Sequence, residues 1–91
     1  MAVTFSLPTV LARLADGQST IEATGVTLGD VVAQIADRFP RLAPRLRDER
    51  GGPYPFVTFY LNDEDIRFRN GFDTPVTEGD EITVVAAIAG G

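Results

Sequence analysis

Thr77-Glu78-Gly79-Asp80-Glu81-Ile82-Thr83-Val84-Val85-Ala86-Ala87-Ile88-Ala89-Gly90-Gly91 joins a turn, an apolar strand and a pair of glycines in one run. Glu78-Gly79-Asp80 reads as a turn, and Glu81 to Ile88 as the final β-strand. Successive side chains on a strand point to opposite faces, so Ile82 and Val84 share one face while Thr83, Val85 and Ala87 take the other. Beyond the strand, Ala89-Gly90-Gly91 reads as a flexible tail (89–91) appended to a folded domain (1–88). Two residues without β-carbons place a carboxylate at the end of a slim, permissive peptide. Such a tail can enter a narrow tunnel, and its reactive group would be the Gly91 carboxylate itself. Two plainer readings compete, a frayed terminus and a scar left by cloning.

The chain has 91 residues, enough for one core. A hydrophobic fraction of 44% suits a folded globular protein. The longest apolar run falls short of a membrane span, and the N-terminus lacks a basic-then-apolar signal pattern, which points to the cytoplasm. Cys and His are both absent. Their absence removes disulfides, thiolate metal sites, the commonest metal ligand and the commonest general base. Neither a catalytic residue nor a metal site is therefore expected. Net charge is −5, and all eight cations are Arg. This balance disfavours nucleic acid, whose phosphates call for a basic surface. The lack of Lys removes a Schiff base and any isopeptide attachment onto this chain's own side chains.

Upstream, Val3, Phe5 and Leu7 alternate with Thr4 and Ser6 in a half-buried strand that Pro8 closes. Thr9 to Ala15 can form a helical turn, Asp16-Gly17 a reverse turn, and Ser19 to Ala23 a second short strand. Thr27 with Asp30 three residues on makes a capping-box-like helix start. Leu28, Val31, Val32, Ile35 and Phe39 then form one apolar stripe, ended by Pro40. Arg41 to Arg50 is a polar connector with a short turn near Leu42 to Leu46. Arg38, Arg41, Arg45, Arg47 and Arg50 cluster here, either as a solvated face or as a partner-facing patch. Phe56 to Leu61 is a strong strand signal, Asn62-Asp63 a hairpin turn, and Ile66 to Arg69 a short alternating strand.

This order, strand-strand-helix-strand-short strand-strand, predicts an α+β domain. One helix covers one face of a mixed four- or five-stranded sheet. If it covers Ile82, Val84, Val57, Phe59 and Leu61, then Phe56, Tyr60, Val85 and Ala87 lie on the open face as a candidate docking patch. Singly exposed apolar residues are also normal, and both readings stand.

The arrangement ending in Gly-Gly resembles the ubiquitin-like β-grasp fold. Residues 77–91 are similar to the C-terminus of bacterial sulfur carriers, among them the molybdopterin synthase small subunit and the thiamine sulfur carrier. Leu61-Asn62-Asp63-Glu64-Asp65-Ile66-Arg67-Phe68 and Val3-Thr4-Phe5-Ser6-Leu7-Pro8-Thr9 are most similar to the carrier of actinobacterial cysteine synthesis. The resemblance implies that the protein is a co-substrate rather than an enzyme, with no cofactor bound. An ATP-dependent adenylating and sulfur-transfer enzyme would convert the Gly91 carboxylate to a thiocarboxylate. Ala89 and Gly90 would thread partner active sites, and a pyridoxal-phosphate cysteine synthase-like enzyme would accept the sulfur. A metalloprotease could then release cysteine, and the free carrier would be a monomer. The same resemblance leaves as an alternative a molybdopterin synthase small subunit or another cofactor-pathway sulfur carrier, and two further readings share the same fold. In one the protein is a modifier conjugated to lysines through Gly91, and in the other a plain interaction module.

Overall fold

The β1 strand (Ala2–Ser6) sits between an antiparallel and a parallel neighbour, and that mixture defines the architecture. The computed structural model describes residues 2–86. The elements that follow are α1 (Thr9–Ala12) with a 3-10 turn (Arg13–Ala15), β2 (Thr20–Thr24), α2 (Leu28–Arg38) and α3 (Ala43–Leu46). Next come β3 (Val57–Leu61), β4 (Glu64–Asp65), two 3-10 turns (Ile66–Phe68 and Gly71–Asp73) and β5 (Glu81–Ala86). The five strands form one sheet in the order β2-β1-β5-β3-β4. Among the described residues, only β1 and β5 pair in parallel. The expected mixed sheet with one main helix is present. Among the described residues, no helix is long and apolar enough to cross a membrane.

Turn chemistry fixes the two hairpins. Asp16 and Gly17 take φ of 54° and 81° between β1 and β2. Asn62 and Asp63 take 50° and 74° between β3 and β4, the left-handed pair that a two-residue hairpin turn needs and that Asn and Asp tolerate. Helix α2 starts where the capping box predicts. The Asp30 N–H donates to Thr27 Oγ1 at 3.2 Å, and the Thr27 N–H donates back to Asp30 Oδ2 at 3.1 Å. The Thr27 N–H, and then the Val26 N–H that donates to the same Oδ2 at 3.1 Å, hold the Asp30 carboxyl below its ordinary range.

The core lies between α2 and one face of the sheet. Leu28, Val31, Val32 and Ile35 are fully buried against Phe5, Ile21, Phe59, Ile82 and Val84. Burial of each such side chain contributes about 1.5–3 kcal/mol, which makes this stripe the main source of stability. Phe59 ties the layers together, tilted against Phe5 at 6.5 Å and edge-on to Phe72 at 5.3 Å.

Strand β2 is an edge, and α2 closes part of it. The Arg38 guanidinium donates to the Glu22 carbonyl at 2.9 Å, while Gln34 accepts from the Thr24 N–H at 2.7 Å. Backbone groups that could template another strand are thereby occupied.

Two expectations need correction. The short alternating strand over Ile66 to Arg69 is absent: the strand is Glu64–Asp65, and Ile66–Phe68 is a 3-10 turn. Asp65 causes the switch, because its side chain caps that turn by accepting from the Arg67 N–H at 2.9 Å. Phe56 also falls outside β3, which begins at Val57. The Val57 N–H instead donates to the Tyr54 carbonyl at 3.2 Å, closing a turn just before the strand.

Candidate functional site

Two strands, β5 and β3, carry the residues expected to matter, and their register decides which of them meet. Val57 pairs with Ala86, Thr58 with Val85, Phe59 with Val84, Tyr60 with Thr83, and Leu61 with Ile82. Phe59, Leu61, Ile82 and Val84 face the helix and are buried. Thr58, Tyr60, Thr83 and Val85 share the opposite, open face, where Val85 is 45% exposed. The split expected from alternation is therefore present in both strands.

The open face is less apolar than the sequence suggests. Tyr60 and Val85 stand among Thr4, Ser6, Thr58 and Thr83, which the registers place on the same side. Phe56 lies ahead of the ladder, so strand alternation does not assign it a face. It is 59% exposed and packs edge-on against Tyr54 with ring centroids 5.5 Å apart. Ala87, Ala89, Gly90 and Gly91, expected on the patch and in the tail, lie outside the described residues.

Two features were not legible in the sequence. Phe68, expected to alternate within a strand, stands 80% exposed on the 3-10 turn. Beside it, Asp65 is largely buried and holds Arg67 in an ion pair at 2.6 Å. The Arg67 guanidinium keeps the Asp65 carboxyl below its ordinary range. Tyr54, Val57, Thr58, Asp65 and Arg67 line a cleft of about 240 Å³ along this edge of β3. The only available sign in the sequence was Asp65 two residues before Arg67, a spacing that suits a side-chain cap as well as a strand.

At the start of β5 a polar lock fixes where the strand enters the sheet. The Asn62 amide donates to Asp80 Oδ1 at 2.9 Å, and Asn62 Oδ1 accepts from the Glu81 N–H at 2.9 Å. Asp80 Oδ2 accepts from the Thr77 N–H at 2.8 Å. The Thr77 N–H and then the Asn62 amide hold the Asp80 carboxyl below its ordinary range. This lock sets the register that brings Ala86 opposite Val57, at the far end of β5.

The chain is similar to known proteins along its whole length. The sulfur carrier protein CysO of Mycobacterium tuberculosis is 40% identical over 93 aligned residues, covering all of both chains. Its crystal structure matches with a TM-score of 0.87 at 38% identity, over 94% of this chain and 99% of that one. The crystal structure of the Amycolatopsis orientalis BexX/CysO complex matches with a TM-score of 0.90 at 36% identity, over 98% of this chain and 99% of that one. The sequence pattern of the ThiS family matches residues 6–91. A match of that extent, joined to the ubiquitin-like sheet and helix described above, shows that the chain belongs to the ThiS family.

Proposed function

We propose that this protein is a sulfur carrier that works through the carboxylate of Gly91 and supplies sulfur for cysteine biosynthesis. The observation that carries the reading is the family match, which continues through Gly91. A full-length relative at 40% identity is itself a sulfur carrier protein. The fold suits the task. β5 is the middle strand of the five and carries the chain through Ala86 toward Gly91, so the segment that leads to the reactive group is anchored in the centre of the sheet.

The chemistry proceeds in two displacements. On an ATP-dependent activating enzyme, a Gly91 carboxylate oxygen attacks the α-phosphorus of ATP, giving an acyl adenylate and pyrophosphate. A sulfur nucleophile at the sulfide level then attacks the acyl carbon, AMP leaves, and a thiocarboxylate remains. That soft nucleophile passes to a pyridoxal-phosphate cysteine synthase-like acceptor. The domain supplies recognition: Tyr60, Val85 and Phe56, with Ala87, form the surface that partners hold. The four residues from Ile88 to Gly91 span at most about 13–14 Å when extended, enough to thread an active site while the domain stays at its mouth. Docking raises the local concentration of the reacting group. Gly90 and Gly91 lose much freedom on threading, and the domain contact offsets that cost.

Intact mass spectrometry of the protein from its own host tests the reading. A mass shift of one oxygen replaced by one sulfur at Gly91 supports it. Gly-Gly remnants on lysines of other proteins, with no thiocarboxylate, would instead identify a modifier. A purified chain carrying one residue beyond Gly91, with no protease present, is expected to accept no sulfur. Its acceptance of sulfur would overturn the assignment of the reactive group.

A further inference from the structure

The arginine cluster is left without a role by the fold and by the proposed chemistry, and its position is informative. Residues 38–50 hold five of the eight arginines against Asp48 and Glu49, a net of +3, which leaves −8 on the rest of the chain. The topology puts this charge at one end of the sheet. Helix α2 begins where the Leu28 N–H donates to the Thr74 carbonyl, and it runs across to Phe39. After α3, Arg47 bridges Pro53 and the Tyr54 N–H donates to the Leu46 carbonyl at 3.0 Å. Three residues later Val57 pairs with Ala86. The cluster therefore borders the end of β5 from which the chain continues to Gly91. At the opposite end, where β5 begins, Asp63, Glu64, Glu78, Asp80 and Glu81 gather around the Asn62 lock.

The cluster is also held in place. Leu42 and Leu46 are fully buried, while Arg41 and Arg45, each one position earlier, are exposed. The loop after α3 is closed by Asp48, whose Oδ1 accepts from the N–H groups of Arg50 at 2.9 Å and Gly52 at 3.0 Å. Gly51 provides the left-handed φ of 84° that this turn needs. Arg38 is occupied at the β2 edge. Among the described residues, Arg41, Arg45, Arg47 and Arg50 form no ion pair.

We infer that Arg41, Arg45, Arg47 and Arg50 dock a carboxylate-rich protein surface, the rim of the active site that receives Gly91. The inference rests on the sulfur-carrier reading. Segregated charge makes the molecule a dipole whose positive end arrives first at an acidic surface, and the chain's reactive end arrives with it. Arg suits this use, because its planar fork pairs carboxylates bidentately. A polyanion such as nucleic acid would be repelled by the −8 carried elsewhere.

The test is adenylation by the host's activating enzyme, followed as ATP–pyrophosphate exchange at about 0.1 M and about 1 M salt. Reversing two charges (Arg41→Glu with Arg45→Glu) is expected to lower kcat/KM about ten-fold at low salt, through KM, with the deficit nearly gone at high salt. Arg41→Gln with Arg45→Gln should give an intermediate loss, and Glu78→Arg, at the end where β5 begins, should change little. Thermal unfolding midpoints for every variant separate lost docking from lost folding. Equal rates for wild type and the reversed variant at low salt would overturn the inference, as would a loss that persists unchanged at high salt. Salt-sensitive self-association of wild type, abolished by the reversal, would also overturn it by making a second copy the acidic partner. A wild-type protein that is not adenylated at all would refute the carrier reading, and the docking surface with it.

Discussion

Val84 and Val85 are neighbours in β5 with opposite fates, and a carboxylate at each position probes the two faces of the sheet. Val84 is 2% exposed, opposite Phe59 and beneath α2, whereas Val85 is 45% exposed on the open face. In Val84→Asp the new group meets only apolar neighbours, so it stays folded only in its neutral form. Keeping a carboxyl with an ordinary pKa near 3.9 protonated at pH 7 costs roughly 4 kcal/mol. Losing the valine burial costs about 1.5–3 kcal/mol more, and an unpartnered neutral carboxyl adds about 1–3 kcal/mol. The total, roughly 7–10 kcal/mol, is as large as the whole stability of a domain this size, about 5–14 kcal/mol. Val85→Asp changes a half-exposed strand position, where the full range of strand preferences spans about 1 kcal/mol. Urea unfolding followed by far-UV circular dichroism measures both. Val84→Asp should be largely unfolded at pH 7, and Val85→Asp nearly as stable as wild type but weaker in binding the activating enzyme. The pH dependence adds a second signature. A carboxyl whose folded pKa is raised binds more protons folded than unfolded, so the Val84→Asp deficit relative to wild type should shrink as pH falls toward 4. A stable Val84→Asp beside an unfolded Val85→Asp would mean that the two faces of β5 are reversed. Equal losses in both would mean that neither face is open.

Thr27→Ala removes the hydroxyl that accepts from the Asp30 N–H, and should cost about 1 kcal/mol in chemical denaturation. Asp80 has a folded pKa depressed below its ordinary 3.8, so its contribution is present above that value and lost as pH falls through the folded pKa. Asp80→Asn should therefore lower stability at neutral pH and flatten the acid limb of a stability–pH curve, and an unchanged limb would discount the Asn62–Asp80–Thr77 lock. Gly90→Val should block thiocarboxylate formation while leaving the unfolding midpoint near wild type, since a branched side chain narrows the backbone at a position proposed to thread a partner's active site. A large fall in that midpoint would make Gly90 structural.

Local chemistry made much of the fold legible in the sequence. Alternation in Val3 to Leu7, the apolar stripe from Leu28 to Phe39, the Thr27–Asp30 box and the Asn62-Asp63 turn each depend on residues close in the chain. All appear in the structure, together with the inward and outward split of β3 and β5. The similarity of residues 77–91 to sulfur carriers was likewise readable, because a short terminal motif carries it. Long-range geometry was not. Ile66 to Arg69 alternates like a strand, but Asp65 meets Arg67 and turns the backbone into a 3-10 turn, which leaves Phe68 in solvent. The neighbours of Tyr60 and Val85 come from three strands, so no single segment shows how polar the open face is. The arginines of residues 38–50 looked either solvated or partner-facing from composition alone. Only the path of α2, α3 and the Arg47–Pro53 bridge brings them to the end of β5, since charge has direction only once the chain has a shape.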